Sequence, residues 1–248
     1  MRSRAFTLIE LLVVISVVAG LMAVLVPALA KARQQGKSVS CLNNLRQLAI
    51  ASQVYVSNND GFYPIAYTNQ FTDSMSIFYA WDFTTIQKWT PLERKVTPGL
   101  LWEGRTIEEV QQCPSFKGYH NSIADPYTGY NYNTSYIGHG QYESIVIPAM
   151  AVMIKRPGRC ALFGDGQWSG GANKFMRSPW PSDSDAGFVG RYAGTQGYRH
   201  NGRTNVVYCD GHTETVKDCF KNTDKAEVDN IAPGTGFLSP DNSAYDLE

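Results

Sequence analysis

Charge is sparse in this sequence. Asp, Glu, Lys and Arg make up 18% of its 248 residues, and 22 basic side chains balance 22 acidic ones. A chain without net charge exerts no long-range pull on a polyanion, so no nucleic-acid partner is expected. The five cysteines (Cys41, Cys113, Cys160, Cys209 and Cys219) lie far apart with no Cys-x-x-Cys pair. That spacing argues against a zinc ribbon or a thioredoxin-like site. No EF-hand-like run of acids occurs, and no internal repeat is evident. Cys209 with His200 or His212 could be read as nucleophile and base, but no third orienting residue accompanies them, so the chain is not expected to be an enzyme.

Hydrophobic residues make up 43% of the chain, enough for a substantial core. Short apolar runs broken by turn residues suit strands and polar loops better than a helical bundle. The exception is the N-terminus. From Leu11 to Ala30 the sequence carries no charge, and about twenty such residues are enough to cross a bilayer as a helix. Arg2 and Arg4 precede the run, which places the N-terminus in the cytoplasm and everything after Lys31 outside. Glu10 stands at the edge of this run. A carboxylate in the apolar part of a membrane helix is costly and points to a dedicated partner. A rival interpretation is an ordinary secretory signal cut after Ala30 at Ala28-Leu29-Ala30, but the apolar region is longer than such signals use.

The helical pattern does not stop at Ala30. Val39, Leu42, Leu45, Ala49, Ser52 and Val56, with Leu48 and Tyr55 beside them, recur at offsets of three and four and form one apolar stripe. Asn58-Asn59-Asp60-Gly61 and then Pro64 end it. The spacing therefore predicts one helix from Phe6 to about Ser57, roughly 75–80 Å long at 1.5 Å per residue. Its first half is apolar all round and its second half amphipathic.

The stretch Ala5-Phe6-Thr7-Leu8-Ile9-Glu10 before an unbroken apolar run resembles the N-terminal signal of type IV prepilins and type II secretion pseudopilins. Cys41 to Leu48, Asn59-Asp60-Gly61-Phe62-Tyr63-Pro64, Cys113-Pro114 and His200 with Asp210-Gly211 nine residues on resemble a pilin-like subfamily bearing an H-X9-DG motif. The resemblance implies cleavage between Ala5 and Phe6 by a prepilin peptidase and N-methylation of Phe6. The family usually has Gly at the position of Ala5. It also implies that the Glu10 carboxylate meets the Phe6 amine of a neighbouring subunit, and that Pro27 kinks or locally melts the helix. The partners it implies are further copies or paralogous subunits, the peptidase, and an inner-membrane assembly platform with its ATPase. Localisation would be single-pass in the inner membrane with the head outside, then in a filament. The rival is a tethered lectin- or adhesin-like binding module that does not polymerise. Trp81, Trp89, Trp102, Trp168 and Trp180 suit such a surface, although aromatic residues more often pack inside.

The expected fold is α+β: the long transmembrane helix continues into an amphipathic half packed on an antiparallel β-sheet head. Residues 1–5 form the leader, 6–30 the membrane or filament-core helix, 31–60 the amphipathic half, 61–222 the head and 223–248 a loosely ordered tail. Strand-like runs include 76–81, 144–147, 160–163 and 205–216, the last with Asp210-Gly211 as a two-residue type I′ turn. Asp165, His200 and Asp210 are candidate ligands for Ca2+ or another divalent cation. The simpler alternative is that Asp210 takes the left-handed turn while His200 hydrogen-bonds backbone. Cys41 and Cys113 are a candidate disulfide stapling helix to head, with a pair of buried free thiols as the alternative.

Overall fold

The structure is a computed structural model that describes residues 7–103, 109–121, 125–140 and 143–248. Helix α1 runs Leu8–Asn58, 51 residues without a break. Thr7 caps it, and Thr7-Leu8-Ile9-Glu10 forms a capping box. The Thr7 amide and hydroxyl both donate to Glu10 Oε2 at 2.8 Å, and the Glu10 amide donates back to Thr7 Oγ1 at 3.2 Å. These bonds satisfy amides that the first turn of a helix leaves without partners. The helix passes through Pro27 as α-helix, so the local melting expected there does not occur in the isolated chain.

The two halves of α1 have opposite surroundings. The large apolar side chains from Leu8 to Leu29 are all exposed, and this part is long and apolar enough to cross a membrane. In the second half Cys41, Leu45, Leu48, Ala49, Ala51 and Ser52 are buried. Val39, assigned to the buried stripe, is instead 66% exposed, and Cys41 turns inward in its place. Leu45→Ala is expected to lower the unfolding free energy of the head by about 3 kcal/mol, because the cavity lies between helix and sheet and neither collapses easily. Denaturant unfolding in detergent measures it.

The head holds two main sheets. Strands β1 (Tyr67–Phe71), β2 (Met75–Ala80), β3 (Phe83–Trp89) and β4 (Leu92–Pro98) form an antiparallel meander in that order. The second sheet uses β5 (Asn131–Asn133), β6 (Ala161–Gly164), β7 (Phe175–Met176), β9 (Thr204–Tyr208) and β10 (Thr213–Val216) in the order β10-β9-β6-β5-β7. All its pairings are antiparallel except β5 with β7. The short β8 (Gln196–Gly197) pairs with β11 (Thr235–Gly236). Helix α1 packs mainly on β9, and Leu45, Leu48 and Ala49 share a core with Tyr63, Trp81, Tyr132, Phe163 and Val207. Trp81, Tyr132 and Phe163 sit with ring centroids 5.0–5.9 Å apart. Buried Lys174 joins the two sheets by pairing with Asp82 at 2.7 Å and Asp125 at 3.0 Å.

Three expectations are corrected. All five residues of β9 are buried: Val207 belongs to the core under α1, while Val206 and Tyr208 belong to a second core. The segment that covers this second face is the C-terminal one, expected to be loose. Ile231, Phe237, Leu238 and Tyr245 are buried in it, with a short helix α2 (Lys225–Val228) on the way. Residues 144–147 form no strand and leave Ile145, Val146 and Ile147 exposed. Finally, Asp210 is not in a left-handed conformation; Gly211 is, with φ 88°. Gly211 N donates to Tyr208 O at 2.9 Å and Tyr208 N to His212 O at 3.0 Å, a three-residue loop with a glycine bulge. The two-residue turn with both central φ positive lies earlier, at Asn201 (55°) and Gly202 (73°).

Candidate functional site

The residues proposed for processing and assembly lie along the N-terminus. Ala5 and Phe6 are outside the described residues. Glu10 is exposed and engaged with Thr7 as above, and Pro27 lies in the exposed half of α1. Among the described residues nothing in the head approaches either residue, so within one chain Glu10 has a local role that needs no neighbour.

A second constellation is inside the head. Four distant stretches of chain bring Cys41, Cys113, Asp165 and His200 together with their ligand-type atoms within 4.8 Å of one another. Cys41 is on the buried face of α1. Cys113 is held by its amide bond to Thr128 O (3.1 Å) and by the turn in which Phe116 N donates to Cys113 O (3.0 Å). Gly129 lies against it, and a Cβ there would come within 2.8 Å of Cys113 Cβ. Asp165 follows β6, and the Asn201-Gly202 turn closes the loop that presents His200, with backbone bonds between His200 and Arg203 at 3.0 and 3.2 Å.

The contacts form a closed ring. Cys41 Sγ donates to Asp165 Oδ1 at 3.1 Å, the two sulfurs are 3.9 Å apart, Cys113 Sγ is 3.9 Å from His200 Nε2, and that nitrogen is 3.1 Å from Asp165 Oδ2. Arg199 braces it from one side: Nε donates to Cys113 Sγ at 3.2 Å, Nη2 to Asp165 Oδ1 at 2.9 Å and also to Gly129 O, and Nη1 to Gly166 O at 3.2 Å. The Asn205 amide donates to Asp165 Oδ2 at 2.8 Å. All four side chains of the ring are buried.

Burial opposes every charge here, yet the neighbours decide the outcome. Burial pushes the Cys41 thiol well up, with Cys113 and Asp165 adding to it. Against burial, the bond with Cys41, Arg199 and His200 hold the Cys113 thiol below its ordinary value. Against burial, the Arg199 charge and the His200 and Asn205 bonds hold Asp165 below the usual carboxylate range. Asp165 and Cys113 raise His200 to about 9 despite its burial.

Of the three proposed cation ligands, Asp165 and His200 therefore meet and Asp210 does not join them. Asp210 is exposed at the hairpin tip and pairs with His212 Nδ1 at 2.6 Å. His200 bonds Asp165 through its side chain rather than backbone. Cys41 and Cys113 are neighbours with their sulfurs 3.9 Å apart and not joined. Cys209, weighed as a nucleophile, is buried elsewhere, its amide bonded to Cys160 O at 3.0 Å. Trp81 and Trp102 are core, while Trp89, Trp168 and Trp180 keep partial exposure. Sequence reasoning missed Arg199 and the joining of the cysteines to Asp165 and His200. The Cys41 position at the buried seam and the Asn-Gly dipeptide beside His200 were the available signals.

The chain so defined is an α+β protein with one long, apolar, unburied N-terminal helix segment and a buried Cys/Asp/His ring. No protein-family model, curated protein or solved structure matches it.

Proposed function

We propose that this chain is a structural subunit of a type IV pilus or a type II secretion pseudopilus. The observation that carries this is the division of α1. Its residues from Leu8 to Leu29 expose their large apolar side chains, while the same helix continues without a break into the head. Such a surface is stable in lipid or among other helices of its kind, not in water. An unbroken connection couples the head mechanically to whatever holds that apolar part. A membrane first and a filament core later satisfy the same surface in turn, and the head stays outside in both. On this reading a prepilin peptidase removes residues 1–5, and an inner-membrane platform moves the mature subunit from the bilayer into the helical filament. Glu10 meets the new N-terminus of an adjacent subunit.

The test is the N-terminus of the mature protein recovered from the cell that makes it. Intact-mass and N-terminal peptide measurements are expected to find Phe6 first and one methyl group on its amine. A chain beginning at Lys31, or one retaining Met1–Ala5, overturns the proposal.

A further inference from the structure

The buried ring has the donor set of a metal centre. For tetrahedral zinc, bonds of about 2.3 Å to sulfur and about 2.0–2.2 Å to nitrogen and oxygen put neighbouring ligand atoms roughly 3.3–3.8 Å apart. The ring's contacts are 3.9, 3.9, 3.1 and 3.1 Å, the two shorter ones ending on different Asp165 oxygens. One ligand atom from each residue lies within 4.8 Å of the other three, so small side-chain rotations bring the four donors to those values. We propose that Cys41, Cys113, Asp165 and His200 bind one zinc ion, clamping the long helix to the head. This holds whether or not the chain polymerises.

Donor chemistry selects the ion. Two thiolates and an imidazole suit zinc and disfavour calcium, which takes six to eight oxygens. The surroundings fit the charge. Two thiolates, one carboxylate and a doubly charged cation sum to minus one, and an uncompensated charge is costly in a dry interior. The Arg199 guanidinium supplies the missing positive charge from outside the ring, on Cys113 Sγ and Asp165 Oδ1. Outer groups of this kind orient ligands and tune affinity. Tyr130, buried beside Cys41, Cys113 and Asp165, has a hydroxyl without a well-aligned partner among the described residues. A thiolate at the neighbouring Cys41 is a far better acceptor than a thiol. The cysteines ligate as thiolates and His200 as neutral imidazole, so binding releases to solvent the protons that the sulfurs and the His200 imidazolium carry in the metal-free chain.

A disulfide is the competing fate of the same cysteines. It requires the sulfurs to close from 3.9 Å to about 2.05 Å, and it makes no use of Asp165 and His200 beside them. The four-donor convergence favours the metal.

The experiment uses the full chain in detergent, purified in reductant without chelator. Elemental analysis is expected to find one zinc per chain, and cobalt substitution is expected to give intense tetrahedral and thiolate-to-metal absorption. Cys41→Ser and Cys113→Ser lose the metal, while Asp210→Asn keeps it. Arg199→Gln weakens binding by roughly 10–100-fold. Wild-type protein provides a readout that does not depend on variant folding: zinc protects Cys41 and Cys113 from alkylation, and a chelator removes the protection. A folded chain that holds no zinc and gains no such protection when zinc is added overturns the proposal. So does an intact mass of protein isolated without reductant that shows Cys41 joined to Cys113.

Discussion

Replacing Glu10 by Gln is expected to reduce filament incorporation to background while leaving the chain anchored and its head folded. The substitution separates two roles that the side chain can hold. In the single chain the Glu10 carboxylate closes a capping box with Thr7, and Gln serves that purpose nearly as well as Glu. In the proposed filament the same group would sit among apolar helices, where the ammonium of an adjacent Phe6 would need a counter-charge that a neutral amide cannot give. Glu10→Ala removes both roles, so the Gln variant is the informative one. Immunoblots of sheared surface fractions against membrane fractions read the difference. If the Gln variant assembles like wild type, Glu10 is only a cap and intersubunit pairing is wrong.

The N-terminal half was the more legible part of the sequence, because a long uncharged run has few physical solutions. The helix, its end near Asn58 and most of its buried stripe follow from periodicity. Its capping box was also legible, since Thr7 and Glu10 have the Thr-x-x-Glu spacing, but the cost of a carboxylate near lipid drew attention away from it. The head was less so. The tail, broken by Pro233, Gly234, Gly236 and Pro240, lacks periodicity because its apolar residues, Ile231, Phe237, Leu238 and Tyr245, cover the far face of β9 from irregular backbone. A segment that folds only against another segment shows no period of its own.

The candidate site divides the same way. Asp165 and His200 were recognisable as residue types that hold cations, and Cys41 and Cys113 as residues able to join helix and head. That all four share one point depends on the long-range pairing of β6 with β9, which no local pattern encodes. Asp210 was drawn in by its place in a motif, but the hairpin carries it to the surface, where His212 satisfies it. The turn that matters for the site is Asn201-Gly202, whose positive φ values fold the chain back beside His200.

Asp185→Ala is expected to destabilise the head by roughly 3–5 kcal/mol, the cost of leaving a buried partner charge uncompensated. Asp185 is buried and takes a two-point bond from Arg191, Nη2 to Oδ1 at 2.7 Å and Nη1 to Oδ2 at 3.2 Å. The Ser182 amide and hydroxyl each donate to Oδ1 at 2.7 Å, and Ser135 Oγ to Oδ2 at 2.7 Å. Arg177, also buried, pairs with Glu143 and lies 3.4 Å from Asp185 Oδ2. Two arginines and two carboxylates thus balance, and losing one acid strands a guanidinium. An exposed pair sets the scale, since Lys88→Ala, which breaks the contact with Glu93, is expected to change stability by less than about 0.5 kcal/mol. Burial would raise the Asp185 carboxyl, but the bonds from Arg191, Ser135 and Ser182 and the Arg191 charge hold it below the usual range. Its folded value is therefore lower than its unfolded one, about 3.9. The stabilisation is complete above that value and is lost as pH falls through the folded one. Chemical unfolding from pH 7 downward is expected to show a steep acid limb in the wild-type chain and a shallower one in Asp185→Asn. Equal limbs would mean that the carboxyl bears no charge in the folded head, and that Arg191 is neutralised by another group.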